Sequence, residues 1–482
     1  MHQLTQQSVP RGRTELTSVL MPKAIFFAIH NTAPWWTYLA SQMEFASVSV
    51  LSDIRGDGDW SLVDDFYHFQ RTGDPVAAAR ERFGDDGCAD IILRCRSLRS
   101  LDPGRAIKMI GGMALAVEKA FDHLQPRLVL TFTMDRYVMD VMERVARERG
   151  IDFIEMTTSI IPDQVMFLRR GKVISLNEPT SQAIDAATKI LCQANFAPTY
   201  VRDTKKFSVS RFWRIYAYFA LRGAYFNVLR FLRRDPLNVH YIDALKSLKH
   251  KPRLRDVVVL ALMNSAWETR MREVPRDRRV FLGLQLFPEA SMDYWLKSQD
   301  MLQHDNVIVR YCEVLGKAGY HAYVKDHPLQ FGFRQRELMQ RLSKMPSVTL
   351  VPYDVPAGVL IGQCAVSVTF TGTVGFQAAI AGLCSVVTEP YYADERHYLH
   401  VRNLREIDDV AERIARWSPP SDLSAARREM IRHLVAASVE GDYFTWRKFD
   451  RSNQAHRDKV QPLVRSLNRY LPRLLNSEPS YG

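Results

Sequence analysis

The most constraining feature of the sequence is a series of short apolar runs that alternate with amphipathic stretches through its second half. The runs predict strands at 256–262, 279–284, 320–325, 348–351, 365–369 and 385–387, with helices near 305–318, 334–344 and 374–381. Strands that alternate with helices over short connections form a doubly wound parallel sheet. We therefore expect an α/β domain whose functional groups lie at the carboxyl ends of its strands.

The first half shows the same alternation in a shorter form. Apolar runs at 23–30, 127–133 and 151–155 predict strands, and apolar residues at helical spacing predict a helix over 135–149. A strand, a helix and a strand in this order imply a second parallel sheet. With 482 residues, the chain also exceeds the roughly 250–300 residues at which a single core stops growing.

The chain is therefore expected to divide into four parts. Residues 1–201 and 253–417 are predicted to form two Rossmann-like domains. Between them, residues 202–252 are expected to form a basic, aromatic helical segment. Residues 418–482 are expected to form C-terminal helices, of which 460–475 could cover either domain.

Charge indicates the kind of partner. Lysine and arginine number 65 against 53 acidic residues, which gives a net charge of +12 and favours anionic partners. Basic and aromatic residues interleave at 202–234. Two interpretations of this segment stay open: a helix that lies on an anionic membrane surface, or a helix that packs on its own domain with its arginines directed outward.

Other sequence features point to a cytoplasmic protein. The six cysteines show no CxxC pair and no zinc-like spacing, so we expect reduced thiols in the core. The N-terminal segment lacks the apolar run of a signal peptide, so secretion is not expected. Polar residues interrupt the uncharged stretch 355–388, which disfavours a transmembrane helix there.

The common catalytic signatures GxxxxGK[ST], GxGxxG, HExxH and GxSxG do not occur in the sequence. P-loop NTPases, ordinary dinucleotide enzymes, zincins and serine hydrolases are therefore not the first hypotheses. Asp57 and Asp59 form an Asp-Gly-Asp turn that could bind a metal, but two carboxylates alone make a weak site. An ordinary acidic loop is the favoured interpretation, and we expect no metal site.

Polar turns follow three of the predicted strands. Lys325, His327 and Pro328 leave the strand 320–325, where the imidazole could donate to a phosphate and the lysine would add charge. Alternatively, His327 merely caps a neighbouring helix. Gln285 and Glu289 follow the strand 279–284, and we expect them at the same edge of the sheet.

The third turn, Thr371-Gly372-Thr373, opens a predicted helix. Free amides at a helix N-terminus, with threonine hydroxyls beside them, suit a phosphate group. The alternative is an N-cap by Thr371 or Thr373, which requires no ligand. Because the three turns follow separate parallel strands, we expect them to converge in one crevice.

These motifs, in this order, resemble the capsule polysaccharide biosynthesis family. The patterns are Q-x-x-PEAS at 285–291, K-x-HP at 325–328 and TGTxGxQ at 371–377, followed by Gly382 and the strand 385–387. Members are GT-B glycosyltransferases related to bacterial Kdo transferases and, more distantly, to bacterial sialyltransferases and polysialyltransferases. The resemblance covers mainly residues 255–395. It implies a GT-B-like fold, in which two Rossmann-like doubly wound domains face a cleft.

The resemblance also implies a nucleotide-sugar donor, activated with CMP and carrying Kdo or a related acidic sugar, and no cofactor. The donor would lie on the domain 253–417, and a surface polysaccharide or lipid-linked glycan acceptor would lie on the domain 1–201. Relatives often carry glutamate near the position of Gln377, so its amide departs from the pattern of a ribose-binding residue. The implied donor-binding residues are Gln285, Glu289, Lys325, His327, Pro328, Thr371, Gly372, Thr373 and Gln377.

An inverting glycosyl transfer needs a base on the acceptor side. Asp135, which follows the strand 127–133, is the first candidate, and Glu155 and His30 occupy equivalent places on neighbouring strands. Asp135 could equally serve as the N-cap of the following helix. His327 is the third predicted catalytic residue, because with Lys325 and the 371–373 amides it would stabilise the leaving phosphate without a metal.

Two rival functions remain at this point. One is a nucleotide-sugar epimerase or hydrolase of the same fold, and the other is a non-enzymatic, membrane-associated polysaccharide assembly protein. No nucleic-acid-binding module is recognisable, so nucleic acid is not an expected partner. A lipid-linked acceptor would place the enzyme peripherally on the inner face of the cytoplasmic membrane, with 202–234 as the contact.

Overall fold

The computed structural model describes residues 22–193, 196–198, 207–232, 252–287, 289–389, 392 and 395–475. The strands are β1 (Lys23–Ala28), β2 (Ser47–Ser52), β3 (Trp60–Ser61), β4 (Leu128–Phe132), β5 (Asp152–Thr158), β6 (Gln164–Arg169), β7 (Lys172–Val173), β8 (Arg279–Gly283), β9 (His321–Lys325), β10 (Val348–Val351), β11 (Val366–Val368), β12 (Cys384–Val387), β13 (Leu399–His400) and β14 (Ser438–Glu440). The α-helices are α1 (Ala33–Ala40), α2 (Leu62–Thr72), α3 (Pro75–Arg94), α4 (Pro103–Leu124), α5 (Tyr137–Glu148), α6 (Ser181–Leu191), α7 (Val209–Leu232), α8 (Val259–Leu262), α9 (Trp267–Glu273), α10 (Ala290–Asp293), α11 (His304–Lys317), α12 (Arg336–Ser343), α13 (Ala357–Gln363), α14 (Thr373–Ile380), α15 (Leu404–Asp408), α16 (Val410–Arg416), α17 (Leu423–Ala437) and α18 (Gln454–Leu475).

The first sheet is eight-stranded and runs in the order β14-β6-β5-β4-β1-β2-β3, with β7 paired to β6. Strands β1 to β5 are parallel, while β6 runs antiparallel to β5 and to β14. The central strand β1 is apolar on both faces and almost wholly buried. Burial on both faces is what a parallel strand between two helical layers requires.

The second sheet has six strands in the order β10-β9-β8-β11-β12-β13, all of them parallel. Strand β8 lies between β9 and β11, so the chain runs first to one side of β8 and then crosses to the other. The carboxyl ends of these three neighbours are therefore adjacent. The predicted class, with two doubly wound α/β units and additional helices, is confirmed.

One predicted strand is wrong. Residues 256–262 form a 3₁₀ turn, Leu254–Val258, followed by helix α8. The Asp256 carboxylate closes the turn by accepting from the Arg253 amide at 3.0 Å, and it also accepts from the Arg336 amide at the start of α12 at 3.4 Å. A short apolar run does not distinguish a strand from a buried helical segment by its periodicity.

The two units are joined through the segment that follows β8. Trp295 belongs to the second half of the chain, yet its side chain packs in the core of the first sheet. Gly171, at φ +80°, leaves room for this indole, since a Cβ there would lie 2.5 Å from the Trp295 Cγ. The Arg94 guanidinium donates to the carbonyls of Asp293 at 3.0 Å and Leu296 at 2.8 Å.

The C-terminal elements return to the first unit. Strand β14 pairs with β6, and α18 buries Leu463, Leu467 and Leu471 in the core of the first sheet. The sequence left open which domain residues 460–475 cover, and the structure places them on the first. Helix α17 packs with α6 and α14 in a separate apolar cluster.

Helix α7 lies within the predicted basic segment and has two contrasting parts. Phe212 is buried against Phe331 and Tyr353 of the second unit. Further along, large apolar side chains face solvent: Tyr218, Leu221, Tyr225, Val228 and Leu232. Residues 202–206 and 233–251 of the segment lie outside the described residues. Across the described ranges, no helix combines the length and apolarity needed to cross a membrane.

Candidate functional site

The three predicted polar turns meet at the carboxyl edge of the second sheet. Gln285 follows β8 and donates from Nε2 to the Thr371 hydroxyl at 3.1 Å, while its Oε1 accepts from Thr369 Oγ1 at 3.2 Å. These bonds tie the end of β8 to the end of β11. The expected convergence of Gln285 with the threonine turn is therefore observed.

The threonine turn leads into the N-terminus of α14. Gly372 is the N-cap residue, and no side chain accepts a hydrogen bond there, so the alternative of a threonine N-cap is wrong. A Cβ at Gly372 would lie 2.9 Å from Gln285 Oε1, which explains the need for glycine at this close approach. Because no side chain occupies the capping position, the backbone amides and the positive dipole end of the helix are left uncapped, which is the arrangement found at anion sites.

His327 has a defined tautomer. Its amide donates to Asp326 Oδ1 at 2.8 Å, and its ring Nδ1 accepts from the Leu329 amide at 3.2 Å. Burial lowers the pKa of His327 to about 4, so the imidazole is neutral and carries its proton on Nε2. The ring thus caps the 3₁₀ turn Pro328–Gln330 with one nitrogen and offers the other as a hydrogen-bond donor.

Asp326 organises this loop, and sequence reasoning missed it. Its carboxylate accepts from the Arg334 guanidinium at 2.7 Å and from the Tyr353 hydroxyl at 2.6 Å, in addition to the His327 amide. Arg334 also donates to the Gln285 carbonyl at 2.7 Å, which connects the loops after β8 and β9. The only sequence signal was the position of Asp326 inside the K-x-HP motif.

Lys325 is turned inward. Its ammonium donates to the carbonyls of Asp326 at 3.3 Å and Tyr353 at 3.2 Å, and burial lowers its pKa to about 8. The lysine therefore stabilises the loop through these two carbonyls, and its ammonium is not accessible to a phosphate as the sequence suggested.

Glu289 lies next to Gln285. It accepts from the Ser291 hydroxyl at 3.2 Å, and burial raises its pKa to about 7.

The side chain of Gln377 is directed away from Gln285 and the threonine turn, because its Nε2 donates to the Phe196 carbonyl at 3.2 Å. Pro328 opens the 3₁₀ turn after His327 and is partly exposed. Pro288, inside the Q-x-x-PEAS pattern, lies outside the described residues.

A second constellation lies at the carboxyl edge of the first sheet. Arg136, only 1% exposed, follows β4 and contacts three partners. It donates to Asp53 Oδ2 at 3.2 Å, to Asp135 Oδ1 at 3.0 Å and to His30 Nε2 at 2.7 Å. His30 follows β1 and Asp53 follows β2, so three strand ends contribute to one cluster. Sequence reasoning identified His30 and Asp135 but missed Arg136 and Asp53.

The pKa values of the two aspartates of this cluster are shifted in opposite directions. Burial raises the pKa of Asp53 to about 6 despite the neighbouring Arg136. At Asp135 burial also favours the neutral form, but the guanidinium groups of Arg136 and Arg96 outweigh it and lower the pKa to about 2. Arg136 is the N-cap residue of α5, so the alternative of Asp135 as N-cap is wrong.

Glu155, the other predicted carboxylate, lies deeper. Its Oε2 accepts from the Met134 amide at 2.7 Å and from the Trp295 indole at 3.3 Å. Within the described ranges its Oε1 has no hydrogen-bond partner. Burial raises the pKa of Glu155 to about 7, which places its titration near neutral pH.

The acidic turn behaves as an ordinary loop. Asp59 Oδ2 accepts from the Val50 amide at 2.7 Å, so this carboxylate closes the turn. Among the residues that the structure describes, no group of three histidines, cysteines or carboxylates is placed to hold a metal ion.

No protein-family model and no curated protein matches the chain. Among solved structures, KpsC of Thermosulfurimonas dismutans, a beta-Kdo 2,4-transferase, is 13% identical, with 71% of this chain and 87% of that chain covered and a TM-score of 0.31. UDP-GlcNAc 2-epimerase of Methanocaldococcus jannaschii is 10% identical, with coverage of 85% and 98% and a TM-score of 0.27. The glycotransferase of kitacinnamycin is 12% identical, with coverage of 86% and 96% and a TM-score of 0.26. At these values the activity of the chain has to be argued from its own residues.

Proposed function

We propose that the protein is a glycosyltransferase that moves a sugar from a nucleotide-activated donor to a glycan acceptor. The observation that carries the proposal is the arrangement after β8, β9 and β11. There the His327 Nε2 proton, the Thr371 hydroxyl and the open N-terminus of α14 lie at adjacent strand ends. Such neutral donors suit a phosphate group.

In this proposal the acceptor hydroxyl attacks the anomeric carbon, and the bond between that carbon and the donor phosphate breaks. The leaving phosphate gains negative charge as the bond lengthens. Donors that are already fixed in place stabilise that charge without reorganisation, which lowers the barrier. His327 is positioned for this role by Asp326 and by the Leu329 amide.

The acceptor proton passes to a base on the first unit. Asp135 is the proposed base, because its side chain is 30% exposed, whereas Glu155 is fully buried. A carboxylate with a pKa of about 2 is a weak base, so it would take the proton late, when bonding to the anomeric carbon has made the hydroxyl strongly acidic. Glu155 stays the second candidate, because its pKa of about 7 matches neutral operating conditions.

A CMP-activated Kdo or a related acidic sugar is the proposed donor. Support comes from the K-x-HP motif at 325–328 and the TGTxGxQ motif at 371–377. A direct test incubates the protein with CMP-Kdo, with and without glycan acceptors, and follows CMP and sugar products. Transfer requires acceptor-dependent release of CMP with sugar on the acceptor. Free or altered sugar formed without any acceptor would indicate the hydrolase or epimerase instead.

We further propose that α7 holds the enzyme on the anionic cytoplasmic face of a membrane, where a lipid-linked acceptor would reside. The exposed side chains of Tyr218, Leu221 and Tyr225 lie on a helix that also carries Arg214 and Arg222. Apolar burial combined with attraction to anionic lipids is how interfacial helices bind.

The membrane proposal predicts that Leu221→Ser together with Tyr225→Ser weakens flotation with vesicles rich in phosphatidylglycerol by roughly tenfold or more, since apolar area is lost. The matched control is Leu254→Ser, because Leu254 is also exposed, at 53%, but lies outside α7. Equal flotation of both variants and the wild type would contradict the proposal.

A further inference from the structure

The loop that follows β9, residues 326–334, packs against helix α7. Phe212 of α7 is buried against Phe331 of this loop. Two turns further along α7, the ring of Phe219 meets that of Phe333 edge to face, with the centroids 5.0 Å apart. The helix therefore contacts the loop at two points. We name residues 326–334 the donor loop, because they include the histidine of the proposed donor site.

Gly332 lies between these two phenylalanines of the donor loop and allows the close approach. Its φ of +85° is a conformation that glycine adopts without strain. A Cβ at this position would lie 3.6 Å from Ile215 Cδ1 and 3.6 Å from Phe212 Cδ2. The backbone of the loop therefore rests directly on side chains of α7.

Tyr353, which follows β10, links these aromatic contacts to His327. Its ring lies 5.3 Å from that of Phe331. Its hydroxyl donates to Asp326 Oδ2 at 2.6 Å, while Oδ1 of the same carboxylate accepts from the His327 amide at 2.8 Å. A continuous series of contacts therefore connects α7 with the residue that caps the 3₁₀ turn of the donor loop.

The face by which α7 contacts the loop is narrow. Of the α7 side chains that the structure describes, only Phe212 is buried. A segment with few buried apolar contacts has low local stability, so a ligand that binds the docked helix favours the docked arrangement. The anionic membrane surface proposed above is such a ligand, because it would bind the exposed side chains on the rest of the helix: Tyr218, Leu221, Tyr225, Val228 and Leu232.

We propose that α7 positions the donor loop, and that binding of α7 to an anionic membrane tightens the binding of the donor phosphate at His327. The inference rests on the proposed function, since it takes the donor site and the membrane contact from there and adds the coupling between them. Such coupling is reciprocal, so a bound donor also strengthens membrane binding by the same factor. Donor would then be bound best where a lipid-linked acceptor resides.

The first test measures hydrogen exchange of the donor loop in the full chain without any ligand. Phe219→Ala removes the ring that meets Phe333 but changes no residue of the loop, so we expect exchange in 326–334 to become several-fold faster. The control is Phe449→Ala, because Phe449 is also half-buried but packs on Tyr38 of the first unit. It should leave exchange in the donor loop unchanged. Equal exchange in the wild type and Phe219→Ala would overturn the positioning role.

A second readout separates positioning from a general loss of stability. The nitrogen chemical shifts of the His327 ring show which nitrogen carries the proton, and in the structure Nδ1 accepts from the Leu329 amide. Tyr353→Phe keeps the aromatic ring but removes the hydroxyl that donates to Asp326. We expect a mixture of the two tautomers in this variant and in Phe219→Ala. A single tautomer with the proton on Nε2 in both variants, as in the wild type, would overturn the proposal.

The coupling is measured as the affinity for CMP with vesicles of phosphatidylglycerol, with phosphatidylcholine vesicles as the reference. We expect the anionic vesicles to tighten CMP binding to the wild type several-fold. Phe219→Ala keeps the exposed side chains of α7, so it should still float with the vesicles but lose this gain. Equal tightening in both proteins, or none in a wild type that floats, would overturn the coupling.

Failure of the proposed function gives different results. If the wild type binds no CMP, the donor site is contradicted, and slower exchange of the donor loop on anionic vesicles becomes the measure of the coupling. If the wild type does not float, the membrane contact and the coupling are both contradicted. The exchange and chemical-shift measurements without vesicles then still decide whether α7 positions the loop.

Discussion

The two sheets place polar groups at equivalent edges, and each edge contains a buried pair of an arginine and an aspartate, but the groups around that pair differ. At the first sheet, the buried Arg136 is surrounded by Asp53, Asp135 and His30, so charges are paired with one another. At the second sheet, the buried ion pair of Asp326 and Arg334 holds the loop after β9, while the strand ends present a neutral imidazole, hydroxyl groups and a helix N-terminus. The comparison teaches that the same topological position can hold a cluster of paired charges or a set of neutral donors, which under the proposed function would serve proton transfer and phosphate binding.

The largest expected effect is a loss of folding stability at the edge of the first sheet. Arg136→Met leaves Asp53 and Asp135 without their shared cation, and breaking a buried pair in this way costs about 3–5 kcal/mol of the free energy of unfolding. Urea denaturation at neutral pH measures this loss. The control is Arg310→Met, since Arg310 forms a largely exposed pair with Asp408 and should change stability by less than about 1 kcal/mol. Similar losses in both variants would contradict the buried network.

The second prediction concerns pH and Glu155. Burial raises its pKa from 4.5 to about 7, so the neutral carboxyl favours folding below pH 4.5 and this contribution is lost as the pH rises through 7. The rise corresponds to about 3 kcal/mol. We therefore expect Glu155→Gln to gain about 3 kcal/mol relative to the wild type between pH 4.5 and pH 8. Glu178→Gln, at a side chain that is 91% exposed, should show no such trend.

The smallest expected effect concerns Gly372, at the carboxyl edge of the second sheet. Gly372→Ala places a methyl group 2.9 Å from Gln285 Oε1, so the Gln285 amide must move and the link to Thr371 weakens. We expect a loss of about 1 kcal/mol in stability and a several-fold weaker affinity for nucleotide. Gly362→Ala is the control, because a Cβ there meets no atom within 4 Å. Calorimetry with each variant checks both values, and identical behaviour of the two variants would contradict the close contact between Gly372 and Gln285.

The sequence predicted the second sheet and its converging turns because each turn follows an apolar strand, and parallel strands end at one edge. It could not predict that Arg136 contacts Asp53 and His30, which lie 83 and 106 positions before it in the chain. The orientation of the Lys325 side chain could not be predicted either. The motif suggested an accessible charge, but the Tyr353 carbonyl, 28 residues away, turns the ammonium inward.

The predicted strand at residues 256–262 is wrong for a different reason. Three valines in succession favour a strand by propensity, yet the Asp256 carboxylate closes a helical turn by accepting from the Arg253 amide. Local hydrogen bonds from an aspartate compete with strand formation. A side chain that satisfies nearby amides therefore overrides the apolar pattern around it.

The thermal stability of the wild type and of His327→Asn with CMP, UDP and GDP tests the proposed donor site most directly. Asparagine can still accept from the Leu329 amide but lacks the Nε2 donor, so the turn is kept while the proposed phosphate contact is lost. A nucleotide at 100 times its dissociation constant adds about 2.7 kcal/mol to the folded state. We predict stabilisation of the wild type by CMP and little stabilisation of His327→Asn. No effect of any nucleotide on the wild type, or equal stabilisation of both proteins, would contradict a donor site at His327.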